Sequence, residues 1–306
     1  QAYHLFREPC DASKLLRLLQ EMDAVRQSLP NPALPALMAK MRRLPSPPNL
    51  YFQVASEAAS PDASVERIGE LIAQDPAAAA KLLQLANSAA FGLHREVNHP
   101  AEAVSYLGFD LTKSFLLVVH SFSFFEAVPA VRACLEPFWG HALRVGRYAR
   151  QIAKSEMKVA ELASQAFTAG LLHDVGKLLF AANLPREYGE TLARAQMQKC
   201  HPWELETQLL GASHAELGAY MLGIWNLPMP IVEAVARHHS PGQLPGQPSS
   251  FAPLTAVHAA NVLEHEQGAE PDQALQPEFD LSYLERLGCA SRLAEWRQGC
   301  QPAAAN

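Results

Sequence analysis

The stretch Gly170–Lys177, with the sequence Gly-Leu-Leu-His-Asp-Val-Gly-Lys, places an adjacent histidine and aspartate inside an apolar run. Ionisable side chains are costly to bury unless they bind each other or a metal ion. The surrounding pattern predicts one long helix over residues 158–181, with His173 and Asp174 in its interior. On that helix Lys177 would share a face with His173, because residues four apart are neighbours on a helix. The stretch therefore predicts a buried polar site within a helical protein.

Helical periodicity continues along nearly the whole chain, and the alternation typical of strands is almost absent. Residues 12–29 carry an apolar stripe, and prolines punctuate residues 30–42, which we predict to be a connector. Further helices are predicted near residues 49–60, 64–74, 76–90, 100–107, 110–126, 135–156, 186–198, 201–211, 213–225, 228–239 and 252–266. The predicted fold is all-α, a multi-helix bundle with a short N-terminal helix.

The composition is that of a packed globular protein, since 49% of the 306 residues are hydrophobic and only 18% are charged. The formal net charge is −6 and no block of Lys and Arg is present, which disfavours direct nucleic-acid binding. Five scattered cysteines without Cys-x-x-Cys spacing favour a reducing cytoplasm over a disulfide framework or a cysteine zinc site. The most apolar run, residues 115–128, is too short to span a bilayer, so we expect no membrane association. The chain begins at Gln1 without methionine, so we expect a piece of a longer protein.

A second motif begins with Gln74-Asp75-Pro76 and ends a Leu-rich segment with Asn87-Ser88, followed by Gly92. Aspartate before a proline at the first helical position starts a helix for local reasons. Asparagine, serine and a following glycine end one. By itself this motif indicates only a helix.

The order and spacing of these motifs closely resemble the HDOD family over residues 43–241. The matching segments are Gln74-Asp75-Pro76, Leu85-Ala86-Asn87-Ser88, Ala103-Val104, Leu107-Gly108, Phe138-Trp139-Gly140-His141, Leu171-Leu172-His173-Asp174, His214-Ala215-Glu216-Leu217-Gly218, Trp225-Asn226-Leu227-Pro228, Glu233-Ala234 and His238-His239. HDOD modules are similar to the HD superfamily of metal-dependent phosphohydrolases and are usually its regulatory relatives. The resemblance implies an HD-like bundle over residues 43–241, with residues 242–306 as a C-terminal helical extension.

In HD enzymes a histidine, an adjacent His-Asp pair and a distant aspartate hold a divalent ion that activates water for attack on phosphorus. The resemblance implies that His141 is the first ligand and that His173 and Asp174 are the pair. Asn261 stands where the last acid is expected, and an amide oxygen is a weaker, uncharged ligand. If the set is retained, Mn, Fe, Mg or Ni would bind; otherwise each histidine is a hydrogen-bonded core residue. The catalytic candidates are Asp174 and Lys177, since a lysine here could meet a phosphate.

Three further histidines, His214, His238 and His239, resemble the additional ligands of the HD-GYP cyclic-dinucleotide phosphodiesterases. His239 is followed by Ser240–Gly242, so the Gly-Tyr-Pro hallmark of that catalytic subfamily is missing. Five other histidines are predicted to be surface or packing residues: His94, His99, His120, His201 and His265.

Residues 1–29 resemble the tail of a receiver domain, with Glu8-Pro9 where response regulators have Lys-Pro. This implies a receiver domain ahead of Gln1, an upstream sensor histidine kinase, and a helix 12–29 that transmits phosphorylation to the body. That helix is otherwise a plain linker or a dimerising helix, which would make the protein a homodimer.

The sequence thus predicts the output module of a two-component response regulator, which needs no cofactor and acts by binding a downstream signalling protein. The alternative is a metal-dependent phosphohydrolase acting on a nucleotide or cyclic dinucleotide. Asn261 favours the signalling module, and an acid such as Asp280 entering the site would favour the enzyme.

Overall fold

The computed structural model of this chain describes residues 20, 23–45, 49–87, 95–132, 135–156, 159–243, 250–268, 275 and 277–301. Its helices, in chain order, are α1 (described over residues 23–28), α2 (Ala33–Lys40), α3 (Asn49–Ala58), α4 (Val65–Ala73), α5 (Pro76–Ala86), α6 (Pro100–Leu107), α7 (Phe109–Glu126), α8 (Pro129–Arg132), α9 (Leu135–Glu156), α10 (Ala160–Leu172), α11 (Val175–Asn183), α12 (Pro185–Gln198), α13 (Pro202–Leu210), α14 (His214–Ile224), α15 (Met229–Arg237), α16 (Pro253–Gly268), α17 (Leu281–Arg286) and α18 (Leu293–Gly299). The described residues contain no strand, which confirms the all-α prediction. None of these helices is both long and apolar enough to cross a membrane.

The chain divides into two compact units. Unit 1 comprises Gln1–Leu44 and Pro129–Cys300, and unit 2 comprises Pro45–Val128 and Gln301–Asn306. Unit 2 holds α3 to α7, and unit 1 holds the other helices. Every candidate site residue from the sequence lies in unit 1, so the candidate functional site belongs to that unit.

Four helices form the centre of unit 1. α9 packs against α10 and α16, and α15 packs against the same two helices. α16 is buried from Pro253 to Glu264, and a helix that is buried all round belongs to a core. It begins after residue 241, so the segment predicted as a C-terminal extension supplies a central helix of the unit.

The single helix predicted over residues 158–181 is wrong, because the chain forms two helices there. α10 ends at Leu172 and α11 begins at Val175, so His173 and Asp174 lie at the junction. Asp174 has φ −101° and ψ 5°, outside the α-helical region. Gly176 then brings α11 against the start of α14, since a Cβ on residue 176 would lie 2.0 Å from the carbonyl oxygen of His214. Both helices are buried, so the apolar pattern runs through the break and does not reveal it.

The connector predicted over residues 30–42 contains α2. Pro32 is the N-cap of this helix and Pro35 lies in its first turn, where the N–H that proline lacks has no helical partner. The prolines therefore begin a helix here instead of interrupting one. The helix buries Leu34, Leu37 and Met38.

In unit 2, α5 begins as the Gln-Asp-Pro motif predicts. Oδ1 of Asp75 accepts hydrogen bonds from the N–H groups of Ala77 and Ala78 at 3.0 and 3.1 Å. After the helix, Asn87 donates from Nδ2 to the carbonyl of Val97 at 2.7 Å and accepts from its N–H at Oδ1, also at 2.7 Å. The predicted stop at Ser88 and Gly92, and most of the predicted receiver-domain tail, lie outside the described residues.

Candidate metal centre

The carboxylate of Asp174 lies between two groups of histidine nitrogens. On one side, its Oδ2 is 3.6 Å from Nε2 of His141 and 3.4 Å from Nε2 of His173. These two nitrogens are themselves 3.1 Å apart. The three residues from the predicted ligand set thus converge at one point, although 32 residues separate the two histidines.

The other oxygen of Asp174 faces the second group. Its Oδ1 is 3.1 Å from Nε2 of His214 and 3.7 Å from Nε2 of His238. Nε2 of His239 is 3.1 Å from Nε2 of His214. All five predicted histidines therefore surround one aspartate, in two groups that share it.

Buried carboxylates hold the outer nitrogens of two of these rings. Nδ1 of His141 is 2.6 Å from Oε2 of Glu264, and Nδ1 of His214 is 2.7 Å from Oε2 of Glu206. An ionised carboxylate only accepts hydrogen bonds, so each Nδ1 carries a proton, and each Nε2 keeps its lone pair when the ring is neutral. Pairing of this kind orients metal-binding histidines and makes them more basic.

Two more rings are oriented by the ends of helices. His173 follows the last residue of α10, and His238 follows the last residue of α15. The Nδ1 of each ring donates to the carbonyl three residues earlier, that of Gly170 or Val235, at 2.7 Å. The last carbonyls of a helix lack backbone partners, so each ring caps its helix and leaves Nε2 facing Asp174.

Helices α14 and α13 position His214 and the fifth histidine, His239. His214 is the first residue of α14, which begins with a capping box between Ser213 and Glu216. His239 is stacked on Trp203 of α13, with ring centroids 3.6 Å apart and planes 12° apart. Trp203 also stacks on His201, which we predicted to be a surface or packing residue.

Burial keeps most of the imidazoles neutral. It lowers the pKa of His173, and it lowers the pKa values of His238 and His239 well below that of an exposed histidine. Burial acts in the same direction on His214, but the carboxylate of Glu206 outweighs it and the pKa of His214 is raised. Neutral imidazole is the form that binds a metal ion.

The residues fit a divalent cation. Nitrogen and oxygen ligands about 2.1 Å from one ion lie about 3.0–3.4 Å from each other, close to the separations within each group. The ligand atoms of His141, His173 and Asp174 lie within 4.8 Å of one another, as do those of Asp174, His214, His238 and His239. Oδ1 of Asp174 and Nε2 of His238 are buried, and neither has a hydrogen-bond partner among the described residues. A cation between them would satisfy both atoms.

Lys177 is placed differently from the prediction. Its Nζ is 2.6 Å from Oδ2 of Asp174, whereas we expected it on the face of His173. The difference follows from the break at residues 173–174, which makes Asp174 the N-cap of α11. Burial acts to raise the pKa of Asp174, but His173 and Lys177 outweigh it and hold that pKa well below the usual aspartate value. An ionised Asp174 is thus paired with an ammonium group at an oxygen that a metal ion would use.

The sequence analysis missed Glu264 and Glu206. Glu264 also binds Arg144, whose Nε is 2.7 Å from Oε1. Burial acts to raise the pKa of Glu264, but His141 and Arg144 outweigh it and lower that pKa to about 2. Glu264 lies three residues after Asn261 on α16, a helical spacing that could have signalled it; nothing near Glu206 in the sequence could have done so.

The two residues considered for the last acid, Asn261 and Asp280, lie on or next to helices of unit 1. Asn261 is buried on α16, and the described part of the chain offers its Oδ1 no hydrogen-bond partner. Asp280, the alternative acid, instead caps α17 by accepting a hydrogen bond from the N–H of Tyr283 at 3.0 Å. The N–H of Asp280 donates to Nε2 of His258, whose Nδ1 donates to the carbonyl of His238. The carboxylate of Asp280 therefore caps α17 and does not join the centre. Only its backbone N–H is linked to the centre, through the ring of His258.

His265 lies closer to the site than we predicted, with its ring centroid 5.0 Å from that of His141. His141, Glu264 and His265 form a third close group of metal-ligand types. Its atoms are already engaged, because Nδ1 of His265 bonds the carbonyl of Asn261 at 2.8 Å and Glu264 is bound by its two partners. His99 and His120 are exposed, and His94 lies outside the described residues.

Comparison with known proteins gives one family match. The sequence matches the HDOD domain family over residues 44–241. An uncharacterized protein of Treponema pallidum (strain Nichols) is 29% identical over 216 residues, which are 71% of this chain and 41% of that protein. The chain therefore spans about two fifths of the length of this curated relative.

Solved structures with the same fold include three bacterial proteins. An HDOD domain protein of unknown function from Geobacter sulfurreducens has a TM-score of 0.69 and 21% identity, and the match covers 92% of this chain and all of that one. A candidate phosphohydrolase from Shewanella amazonensis SB2B has a TM-score of 0.62 and 23% identity, with 87% and 96% covered. A candidate signal transduction protein from Marinobacter aquaeolei VT8 has a TM-score of 0.65 and 17% identity, with 91% and 66% covered. At these identities the likenesses show the fold.

Proposed function

This chain belongs to the HDOD domain family, and from that premise we propose that it is a signalling module that acts by binding another protein. We propose further that its His/Asp centre holds a divalent metal ion as part of the folded structure, without turnover of a phosphoester. One fold relative is described as a signal transduction protein and another as a phosphohydrolase, so the fold is compatible with signalling and with hydrolysis.

The observation that carries the proposal is the charge of the centre. Among the residues that the structure describes, Asp174 is the only carboxylate facing the inner nitrogens of these histidines, since Glu206 and Glu264 contact the outer nitrogens of His214 and His141. Two divalent ions would bring four positive charges against one negative charge. One ion surrounded by neutral imidazoles and one carboxylate is the better balanced state.

The ligand types favour particular metals. Imidazole nitrogens suit Fe and Ni, and also Mn to a lesser degree, whereas Mg prefers oxygen ligands. The ligands would be His141 and His173 with Asp174, or Asp174 with His214 and His238. When bound, such an ion would lower the pKa of a bound water and polarise a phosphoryl oxygen. In the proposed role it instead links α9 to the end of α10, or α14 to the end of α15, through the histidine side chains and Asp174.

The second candidate function is metal-dependent phosphohydrolysis of a nucleotide or cyclic dinucleotide. It is favoured by one observation, the placement of each oxygen of Asp174 in a separate group of ligands, which is the arrangement a two-ion site uses. In that role Lys177, whose side chain is one-third exposed, would turn from Asp174 toward a phosphate.

The experiment separates these outcomes by stoichiometry and turnover. The chain is stripped with a chelator and titrated with Mn²⁺, Fe²⁺ or Ni²⁺, and hydrolysis of bis(p-nitrophenyl) phosphate is followed at each ratio. We expect about one ion per chain and no hydrolysis above the metal-only rate. Asp174→Ala, which removes the residue common to both groups of ligands, should abolish binding, whereas His99→Ala, at an exposed histidine of unit 2, should leave it unchanged. Two bound ions with turnover would establish the hydrolase, and no binding by the unaltered chain would refute the metal centre.

The remaining parts of the proposal concern partners. We propose that a receiver domain, phosphorylated by a sensor histidine kinase, precedes this chain in the natural protein, and that a downstream signalling protein or a second copy of the chain binds the helical body. The support is the resemblance of residues 1–29 to a receiver-domain tail.

A further inference from the structure

We infer that the N-terminal segment of residues 23–31 regulates metal binding, because it holds both ends of α14, the helix that begins with His214. This inference rests on the proposed function, since it concerns the affinity of the same centre. Asn31 is a positioning residue in this scheme, and Val25 is its counterpart at the other end of the helix.

Asn31 fastens the segment to the start of α14. Its Nδ2 donates to the carbonyl of Gly211 at 3.0 Å and to Oε2 of Glu216 at 3.3 Å. The same Oε2 accepts from the N–H of Ser213 at 3.1 Å, and Ser213 Oγ accepts from the N–H of Glu216 at 3.2 Å. Asn31 is therefore the third member of the capping box that begins α14 next to His214.

Val25 fastens the segment to the end of α14. It is 5% exposed, and a Cβ on Gly223 would lie 2.7 Å from both of its methyl groups. The absence of a side chain at residue 223 is what lets α1 approach α14 so closely. The segment thus contacts α14 at both ends, and a movement of the segment must move the helix or break these contacts.

His214 converts a movement of α14 into a change at the centre. Its backbone N–H and its Nδ1 both bond Oε2 of Glu206 at 2.7 Å, so the ring follows the first turn of the helix closely. Its Nε2 is 3.1 Å from Asp174 and 3.1 Å from His239. Metal–ligand distances tolerate only about 0.2 Å, so a shift of a fraction of an ångström changes affinity.

The coupling must act in both directions. If the docked segment strengthens metal binding, then the bound metal strengthens docking of the segment by the same factor. An upstream domain that pulls on residues 23–31 would release the ion, and loading of the ion would hold the segment on α14. No additional contact is needed between the ion and the segment.

The substitution Asn31→Asp removes the contact of residue 31 with α14 and keeps its hydrogen bond to the start of α2. Oδ1 of Asn31 accepts from the N–H of Ala33 at 3.0 Å, and aspartate preserves this bond. Aspartate loses the donor and places a second carboxylate beside Glu216. The matched control is Asn87→Asp in unit 2, where the side chain likewise donates to a carbonyl and accepts from an N–H.

The full chain and both variants are titrated with Co²⁺, and the visible spectrum of the bound ion is recorded with the affinity. We expect Asn31→Asp to weaken binding about tenfold or more and to change the Co²⁺ spectrum, as loss of an outer contact does at metal sites. Asn87→Asp should match the unaltered chain in both. Equal affinity and spectrum for Asn31→Asp would overturn the inference alone, whereas failure of the unaltered chain to bind Co²⁺ would overturn the proposed metal centre with it.

A second test pairs a substitution that creates a steric clash with one that removes it. Recovery in the double variant would show that loss of binding is not caused by failure to fold. Gly223→Ala should weaken Co²⁺ binding because its methyl group collides with Val25, and the double variant with Val25→Ala should regain part of the loss. Hydrogen exchange of residues 23–31 in the unaltered chain should also slow when metal is added. Exchange that does not respond to bound metal, or a double variant no better than Gly223→Ala, would contradict the coupling.

Discussion

At the scale of single residues, the partner of each Nδ1 decides what the centre can bind. Four rings have Nδ1 tied to an acceptor, two to carboxylates and two to backbone carbonyls, so four Nε2 lone pairs face Asp174. The Nε2 atoms of His141 and His173 are 3.1 Å apart, and their lone pairs repel each other unless a proton or a cation lies between them. In the neutral rings, the proton on Nδ1 leaves Nε2 free to bind a cation, which is what the predicted metal ligands require.

Glu206 is the residue whose charge is expected to matter most outside the ligands. Glu206→Gln keeps an oxygen that accepts from His214 but removes the charge that makes this ring basic, so metal affinity should fall about tenfold. Calorimetric titration measures the change. Glu204→Gln, at an exposed residue of the same helix, is the control, and equal affinities for the two variants would show that the carboxylate has no role.

Lys177 is expected to compete with the metal for Asp174. Lys177→Gln removes the ammonium group 2.6 Å from Oδ2, so metal affinity should rise about tenfold while the metal-free protein becomes less stable. Lys113→Gln, which breaks a similar lysine–aspartate pair with Asp110 in unit 2, should not change metal affinity. A lower metal affinity in Lys177→Gln would mean that the lysine supports the ion.

At the scale of helices, the sequence predicts most elements. It does not predict the ends of helices that lie in the buried core. α5, α6, α9 and α14 occur close to the predicted positions because caps and prolines act locally. The junction at residues 173–174 lacks such a signal, since both flanking helices are apolar. The contact of Glu206 with His214 also lacks one, because it depends on how α13 packs against α14.

Gly176 tests why the chain turns at this junction. Gly176→Ala places a methyl group 2.0 Å from the carbonyl oxygen of His214, and backbone cannot yield cheaply, so we expect a loss of about 3 kcal/mol in the free energy of unfolding. Gly189→Ala in α12 is the matched control. Apart from the adjoining backbone of α12, no described atom lies within 4 Å of a Cβ at residue 189, so the substitution should stabilise the helix by about 0.5–1 kcal/mol. Urea unfolding measures both changes. A loss in Gly176→Ala but not in Gly189→Ala would show that residue 176 must lack a side chain because α14 lies so close.

At the scale of the whole molecule, the chain beyond the family match contributes to the site. The match ends at residue 241, yet α16 supplies Glu264 to His141, and His258 of the same helix bonds the backbone of His238. The resemblance leads to Asn261 but to no other contact of α16, because these contacts exist only after the helix packs into unit 1. The sequence therefore predicts the residues that converge on Asp174, and the fold provides the groups that orient them.

Stability at high pH should depend on Cys300. Burial raises the pKa of this thiol to about 12, whereas an unfolded cysteine titrates near 9. The stabilising contribution is therefore complete below pH 9 and is lost as the pH rises from about 9 toward 12, by about 1 kcal/mol per pH unit. Urea midpoints at pH 8 and pH 10.5 should fall further apart in the unaltered chain than in Cys300→Ala. A similar difference in both proteins would show that other groups are responsible.

The stacking of Trp203 on His239 gives the protein an optical reporter of its own. The indole lies against a ring whose Nε2 is 3.1 Å from that of His214, so a paramagnetic ion such as Ni²⁺ or Co²⁺ held there would quench its fluorescence at short range. The chain has four tryptophans, and Trp203→Phe would show which part of the emission responds. Occupancy of the centre can thus be followed in solution without attaching a dye.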